Sequence, residues 1–492
     1  MSMIKIENLT FAYPSGYDNI FEDVSFTIDT DWKLGFVGRN GRGKTTFLSL
    51  LLGKYEYSGK IISSVPFDYF PYPVRDKSRM TEDILMEICP SAEEWEIIRE
   101  MSYLNMNADI LYRPFGTLSN GEQTKVLLTA MFLNEGHFLL IDEPTNHLDA
   151  DARNLLAEYL SRKKGFILVS HDRCFLDRCV DHILSLNRAD IEVQSGNFSS
   201  WLQNFEYRQE SEKAQNEHLK KEIRRLNQAA KRTAVWSDKI EASKSGALDK
   251  GYVGHKSAKM MKRAKSVENR QQRAVEMKSA LLKNAESAES LKLSPLIYHS
   301  DTLVSFSDAA VIYDENTVCE PVSFSVRQGE RVILDGGNGS GKSSLMKILL
   351  GEDIRHSGKI TVGSGIVISY VPQDTSYIRG TLSEFAYIKG IDESLFKAIL
   401  RKMDFERVQF EKDMSDFSEG QKKKVLIAGS LCERAHLYIW DEPLNFIDIY
   451  SRIQIERLIR EFSPAMILAE HDKVFRDNIN AKVVAIQKYK LQ

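Results

Sequence analysis

The sequence predicts an α/β protein built twice, two parallel-sheet domains in tandem joined by a long antiparallel α-helical hairpin. Three observations carry that prediction. A glycine-rich phrase occurs twice, as GRNGRGKT from Gly38 to Thr45 and as GGNGSGKS from Gly336 to Ser343. Apolar runs of strand length surround each copy in the same order. The intervening segment from Arg208 to Lys244 is rich in helix formers and holds neither glycine nor proline.

Each phrase fits G-x-x-x-x-G-K-[ST], in which glycines let consecutive backbone N–H groups curl around phosphate, the lysine neutralises its outer oxygens and the hydroxyl ligates a divalent cation. Candidate phosphate contacts are Gly38, Asn40, Gly41, Gly43, Lys44, Thr45 and Thr46 in the first copy. Gly336, Asn338, Gly339, Gly341, Lys342, Ser343 and Ser344 are their counterparts in the second. Trp32 to Val37 and Arg331 to Leu334 read as strands feeding the loops, and Thr45 to Leu52 and Ser343 to Leu350 as helices whose N-termini face the anion. His137 to Ile141, Phe166 to Val169, His436 to Trp440 and Met466 to Ala469 have the continuous apolar character of buried parallel strands. Asp142, Glu143, Asp441 and Glu442 then stand at strand C-terminal ends, where α/β sheets place ligand sites.

The repetition extends well beyond the loops. LSNGEQ at Leu118 answers FSEGQK at Phe417, FLLIDEPTNHLD answers LYIWDEPLNFID, and VSHD around His171 answers AEHD around His471. Equivalent residues are offset by 298 for Lys44 and Lys342, 299 for Glu143 and Glu442, and 300 for His171 and His471. Whole domains are duplicated.

At 492 residues the chain accommodates two cores of about 200 residues each and a connector. It contains no apolar run long enough to span a bilayer, and the first strand-like stretch, Ile4 to Leu9, leaves no space for a signal peptide. Five cysteines, an odd number, fit reduced thiols. A cytoplasmic location without a membrane partner is therefore expected. His171, Cys174, Cys179 and His182 have spacings that suggest a zinc set, but His171 belongs to the repeated element and the stretch around His471 has no cysteines. Buried small thiols are the simpler reading.

Together these phrases resemble the nucleotide-binding domains of ABC ATPases: Walker A, an LSGGQ-like signature, Walker B with its following glutamate, a D-loop and a switch histidine. Two such domains in one chain around a long charged helical segment resemble the ABC-F class. RPFGTLSNGEQTKVLL, LYIWDEPLNFID and RGTLSEFA are similar to its Lsa-type antibiotic-resistance branch. The resemblance implies an ATPase using ATP and Mg²⁺. Lys44 and Lys342 would hold the β- and γ-phosphates, and Thr45 and Ser343 would ligate Mg²⁺ with support from Asp142 and Asp441. Glu143 and Glu442 would polarise the attacking water, and His171 and His471 would sense the γ-phosphate. Tyr13 and Tyr313 are candidates to stack on adenine and could equally be core aromatics. The signatures would act head to tail within a monomer. Ser119 and Gly121 would cap the nucleotide at Lys342, and Ser418 and Gly420 that at Lys44, so that binding closes the pair and hydrolysis releases it.

The sequence departs from the family pattern in places. Asn120 and Glu419 stand where glycine is usual, and the first signature ends in Glu122 where the second has Gln421. The loop that carries a Mg²⁺-ligating glutamine reads VPQ in the second domain, giving Gln373, but FPY in the first, giving Tyr72. Tyrosine is a poor Mg²⁺ ligand, so the Lys44 site is expected to be slower or differently gated, with both sites still hydrolysing ATP.

The ATPase domains are expected at residues 1–207 and 296–492, with the linker at 208–295. Its first helix would run about 35 residues, or about 50 Å. Three glycines between Gly246 and Gly254 mark a reversal, and a second helix would return from His255 to Ala288, placing the tip near residues 245–256. From Arg208 to Ser290 there are 20 Lys and Arg against 11 Asp and Glu, a net of +9 in a chain of −3. A solvated helix face explains most such runs, but a long basic projection suits neutralisation of RNA phosphates better. Lys244, Lys250, Lys256, Lys259, Lys262, Arg263 and Lys265 are the RNA-binding candidates.

The resemblance implies the 70S ribosome at its E site, 23S rRNA and P-site tRNA as partners. It also implies a tip near the peptidyl-transferase centre, from which lincosamide, pleuromutilin and streptogramin A drugs would be released. Leu248, Tyr252, Val253, His255, Met260 and Met261 would act there directly, through rRNA, or only by packing the turn. Two other functions stay open on sequence: a housekeeping ABC-F factor that rescues stalled ribosomes, and a soluble ATPase subunit of an exporter, for which a basic hairpin has no obvious use.

Overall fold

Each glycine-rich phrase lies between a buried strand and a helix, in a computed structural model that describes residues 2–13, 19–145, 148, 150–187, 190–242, 295–313, 316–337, 339–403, 405, 407–470 and 472–489. Contacts group Met1–Ser199 with Glu289–Gln492 as one compact unit and Ser200–Ala288 as a second. The first unit holds both repeats.

The first repeat runs β1 (Met3–Phe11), β2 (Phe21–Asp29), β3 (Lys33–Gly38), α1 (Lys44–Leu51), β4 (Ser58–Ser63), β5 (Phe67–Phe70), α2 (Thr81–Ile88) and α3 (Glu94–Tyr103). It continues through α4 (Asn120–Leu133), β6 (Phe138–Asp142), α5 (Ala150–Ser161), β7 (Phe166–Val169), α6 (Arg173–Cys179), β8 (His182–Leu186) and β9 (Ile191–Ser195). Its main sheet has the order β5-β6-β7-β3-β8-β9, parallel except for β9. All four residues of β7 are buried, which is why its sequence is a solid apolar run and does not alternate. Half-buried β1 instead alternates, with Ile4 and Ile6 facing in, and forms an antiparallel sheet of order β2-β1-β4. Ile6 and Val24 of the second sheet join Phe36, Phe47, Leu140 and Leu184 to knit the two sheets and α1 into one core. Each such side chain contributes about 1.5–3 kcal/mol by leaving water.

α7 (Phe198–Ala242) follows as a helix of 45 residues, about 68 Å long. It begins ten residues ahead of the expected Arg208 because the preceding FSSWLQNFEY carries its own helical apolar face. Phe198 and Trp201 are buried, and Trp201 stacks on Phe205 with ring centroids 5.3 Å apart. The expected tip and returning helix lie outside the described residues.

The second repeat runs β10 (Thr302–Tyr313), β11 (Asn316–Thr317), β12 (Val322–Arg327), β13 (Arg331–Asp335), α8 (Lys342–Leu349), β14 (His356–Val362), β15 (Ile368–Val371), α9 (Leu382–Lys389) and α10 (Glu393–Lys402). α11 (Glu419–Cys432), β16 (Leu437–Asp441), α12 (Ile449–Phe462), β17 (Met466–Ala469), α13 (Lys473–Asn478) and β18 (Lys482–Ala485) complete it. Its main sheet is parallel, in the order β15-β16-β17-β13-β18. The register sets Asp142 opposite Val169 and Asp441 opposite Ala469, so in both domains the acidic strand ends level with the strand leading to the switch histidine.

Candidate functional site: paired phosphate loops

Both loops close through glycines in the left-handed region, with φ of 79° and 101° at Gly41 and Gly43 and of 72° and 91° at Gly339 and Gly341. A Cβ on Gly43 would lie 2.5 Å from the Ile20 side chain, and one on Gly336 2.2 Å from the Ile486 carbonyl oxygen. Lys44 Nζ donates to Gly38 O (2.7 Å), Arg39 O (3.3 Å) and Asn40 Oδ1 (3.2 Å), while Lys342 Nζ donates to Gly336 O (2.6 Å) and Gly337 O (3.1 Å). Each ammonium is thus curled over its own loop. Burial lowers both lysine pKa values, an electrostatic cost that an entering phosphate would relieve.

The carboxylates converge on these loops. Thr45 Oγ1 donates to Asp142 Oδ2 (3.2 Å), which also accepts from Tyr69 OH (3.0 Å). Ser343 lies beside Asp441 but outside hydrogen-bond geometry, and among the described residues neither Asp441 oxygen has a hydrogen-bond partner although both are buried. Burial raises the pKa of Asp142 and Asp441. Glu143 and Glu442 hold φ of 50° and 45°, a conformation costing about 1–3 kcal/mol for a non-glycine residue, and each donates its N–H to the neighbouring strand end. The charges of these two side chains act on Lys44 and Lys342 of their own loops.

Burial, followed by the nearby Asp142 charge, pushes Glu143 up to about 8. His171 Nε2 lies 3.3 Å from Glu143 Oε1, and burial plus the Lys44 charge hold the imidazole well below its usual pKa and therefore neutral. In the second domain Glu442 Oε2 accepts from Gln373 Nε2 (2.9 Å) and Asn445 Nδ2 (2.6 Å). Tyr72 turns away from its loop, donating to Glu87 Oε1 at 3.3 Å, where Arg79 also pairs. Tyr13 and Tyr313 bond through their hydroxyls to Thr46 Oγ1 (2.8 Å) and Ser344 Oγ (3.1 Å), and both rings are partly open to solvent.

The two repeats meet across these sites. Asn40 Nδ2 in the first loop donates to Phe446 O in the second domain at 2.5 Å, and a Cβ on Gly420 would lie 3.0 Å from that same amide nitrogen. The second signature thus faces the first loop. A cavity of about 720 Å³ brings Ser119, Gly121 and Arg153 of the first domain to Gln373, Glu442 and Asn445 of the second. Ser119 and Ser418 cap α4 and α11 in reciprocal boxes with Glu122 and Gln421. His471, Asn338 and the RNA-binding candidates Lys244, Lys250, Lys256, Lys259, Lys262, Arg263 and Lys265 lie outside the described residues.

Several polar residues at these sites were not singled out from sequence. Tyr69 precedes Tyr72 by the same spacing at which Tyr370 precedes Gln373, a repeat signal that would have found it. Asp448, fully buried, pairs with Lys424 at 2.6 Å, and its charge reaches Lys44. Arg173, Arg452, Glu456 and Asp472 form a buried cluster joining the domains.

Duplicated loops, strained glutamates and a buried aspartate beside each loop hydroxyl, bonded to it at Asp142 and unpartnered at Asp441, suit a nucleoside triphosphate with a divalent cation at each site. The fold and site define a tandem P-loop ATPase. A family model described as ABC transporter matches residues 21–146 and again 319–445. The chain belongs to the ABC transporter family, in its ABC-F class, and is an ATPase that binds ATP. It is 26% identical to the ribosome protection protein VmlR of Bacillus subtilis, over 98% of this chain and 87% of that one. It is also 26% identical to the energy-dependent translational throttle protein EttA of Haemophilus influenzae, over 95% of this chain and 89% of that one. Among solved structures, archaeal ribosome recycling factor aABCE1 in complex with ribosomal stalk protein aP1 matches with TM-score 0.63 and 18% identity, covering 98% of this chain and 89% of that one. The structure titled RNase-L Inhibitor matches with TM-score 0.63 and 17% identity, covering 98% and 90%. These two likenesses speak to the fold. Among the described residues, no helix is long and apolar enough to cross a membrane.

Proposed function

We propose that the chain is a cytoplasmic ribosome-protection ATPase, which binds the 70S ribosome and uses ATP binding and hydrolysis to promote release of drugs from the peptidyl-transferase centre. The drugs are of the lincosamide, pleuromutilin and streptogramin A type. The observation that carries this reading is the alignment with VmlR across 98% of the chain, which takes in both loops and the basic linker. In this reading Lys44 and Lys342 bind the outer phosphates, and Glu143 and Glu442 accept a proton from water. His171 and His471 position the γ-phosphate. Thr45, Ser343 and Gln373, backed by Asp142 and Asp441, would hold Mg²⁺, which neutralises charge on the phosphate oxygens. Tyr13 and Tyr313, whose rings are partly exposed, would stack on adenine.

Ser418 with Gly420, and Ser119 with Gly121, complete the opposite domain's site when the halves close. Closure is the output. The basic residues of the linker, Lys244 to Lys265, carry it to 23S rRNA and P-site tRNA from an E-site position. The equal identity to EttA favours a second reading, a translation factor without drug specificity. Expression in a susceptible strain separates the two. Protection raises the inhibitory concentration for at least one of the three drug classes, and unchanged values for all three reject it.

A further inference from the structure

We propose that Lys423 is a positioning residue of the second ATP site alone, tethering the Gln373 loop to the end of the acidic strand so that Gln373 can govern Glu442. The inference rests on the ATPase reading above and adds a division of labour between the sites. Lys423 lies on α11, two residues after Gln421 of the signature, and is 2% exposed. Its ammonium donates to Pro372 O (2.8 Å), Gln373 O (3.3 Å) and Asp441 O (3.2 Å). Three protons meet three carbonyls.

Two of those carbonyls belong to the loop and the third to the residue before Glu442, so one cation fixes the spacing between the amide and the carboxylate it holds. A buried ammonium must be fully satisfied to persist, and among the described residues its hydrogen-bond partners are all backbone carbonyls, with no carboxylate in direct contact to move it. The tether is therefore stiff, and Gln373 Nε2 reaches Glu442 Oε2 at 2.9 Å.

The first domain lacks each part of this device. Thr124 occupies the position of Lys423, and its short side chain cannot span from the helix to both the loop and the strand. Tyr72 stands for Gln373 and bonds to Glu87, while Tyr69 donates to Asp142. Lysine with glutamine in one domain, and threonine with tyrosine in the other, change together.

The test uses full-length protein carrying Glu143→Gln, so that turnover comes from the Lys342 site. Lys423→Met, Gln373→Ala and the double variant are compared for kcat, KM and affinity for a fluorescent ATP analogue with and without Mg²⁺. Each single change is expected to lower kcat about tenfold with KM within about twofold, and the double to be no worse than either. Both singles should also shrink the Mg²⁺-dependent gain in analogue affinity by the same factor. Additive losses, or a Lys423→Met protein with unaltered kcat and Mg²⁺ response beside an impaired Gln373→Ala, overturn the proposal. A Gln373→Ala protein that behaves as its parent overturns both this inference and the role of the Gln373 loop. If Lys423→Met does not fold, Lys423→Gln, whose shorter side chain has two protons for three carbonyls and so breaks the tether, supplies the same comparison.

Discussion

Arg173, two residues past the switch histidine of the first domain, forms a buried ion pair with Glu456 on α12 of the second. The guanidinium also lies 3.4 Å from Asp472, which accepts from Arg452 at 3.0 Å, and Asn478 donates to Glu456 at 2.9 Å. Two cations and two anions balance, although among the described residues the buried Arg173 Nε has no hydrogen-bond partner. A switch element of one domain is thereby fastened to the helix behind the other's D-loop.

Glu456→Ala should destabilise the nucleotide-free protein by about 3 kcal/mol, the low end for breaking a buried pair, because Asp472 still faces the stranded guanidinium. Arg173→Met combined with Glu456→Met should recover most of that loss. Urea denaturation of the parent and the two variants checks the loss and its recovery.

Asp448 gives a pH dependence with a definite sign. Burial opposes its ionisation, but Lys424 at 2.6 Å outweighs burial and holds the carboxyl well below the usual range. A depressed carboxyl pKa stabilises the fold above the unfolded value of 3.8 and ceases to do so as pH falls through the folded value. Asp448→Asn should therefore cost about 3 kcal/mol at pH 7, and the gap from the parent should narrow steadily below about pH 4. Thermal melts across that range would expose a constant gap if the ion pair were irrelevant.

Glu143→Gln and Glu442→Gln should each reduce steady-state ATPase while leaving turnover at the other site. The double variant should lose about 10²–10⁴-fold, the usual span for a general base. Phosphate release assays on all three decide whether both sites cycle. A single variant indistinguishable from the parent would show that its site does not.

Reversing Lys256, Lys259 and Lys262 to Glu should weaken ribosome association and make its salt dependence shallower by about two in log–log slope. Basal ATPase should be spared. Sedimentation with ribosomes at several salt concentrations reads the slope directly.

The core of the fold was legible because its signals are local or repeated. Phe166 to Val169 and Met466 to Ala469 are strands at the very residues their apolar runs mark, and the loop glycines fall where positive φ is required. The start of α7 was misplaced because Phe198 to Tyr207 is too aromatic to resemble the charged helix that follows, although one helix covers both. Glu143 and Glu442 announced themselves by position, whereas their strained backbone did not. What sequence could not reveal were pairings across some 283 to 406 positions, such as Arg173 with Glu456 and Asn40 with Phe446. No periodicity encodes those, since they depend on how two finished domains meet.

The Arg173–Glu456 pair has no mirror image. The residues equivalent to these two are Lys473 and Ala157, so a pair of first halves drawn from separate polypeptides would bury arginine against a methyl group. Such a mispaired homodimer keeps Asp172 in the place of Asp472 but loses the closer of the two acids, and the first half of this chain is accordingly a poor mate for its own kind.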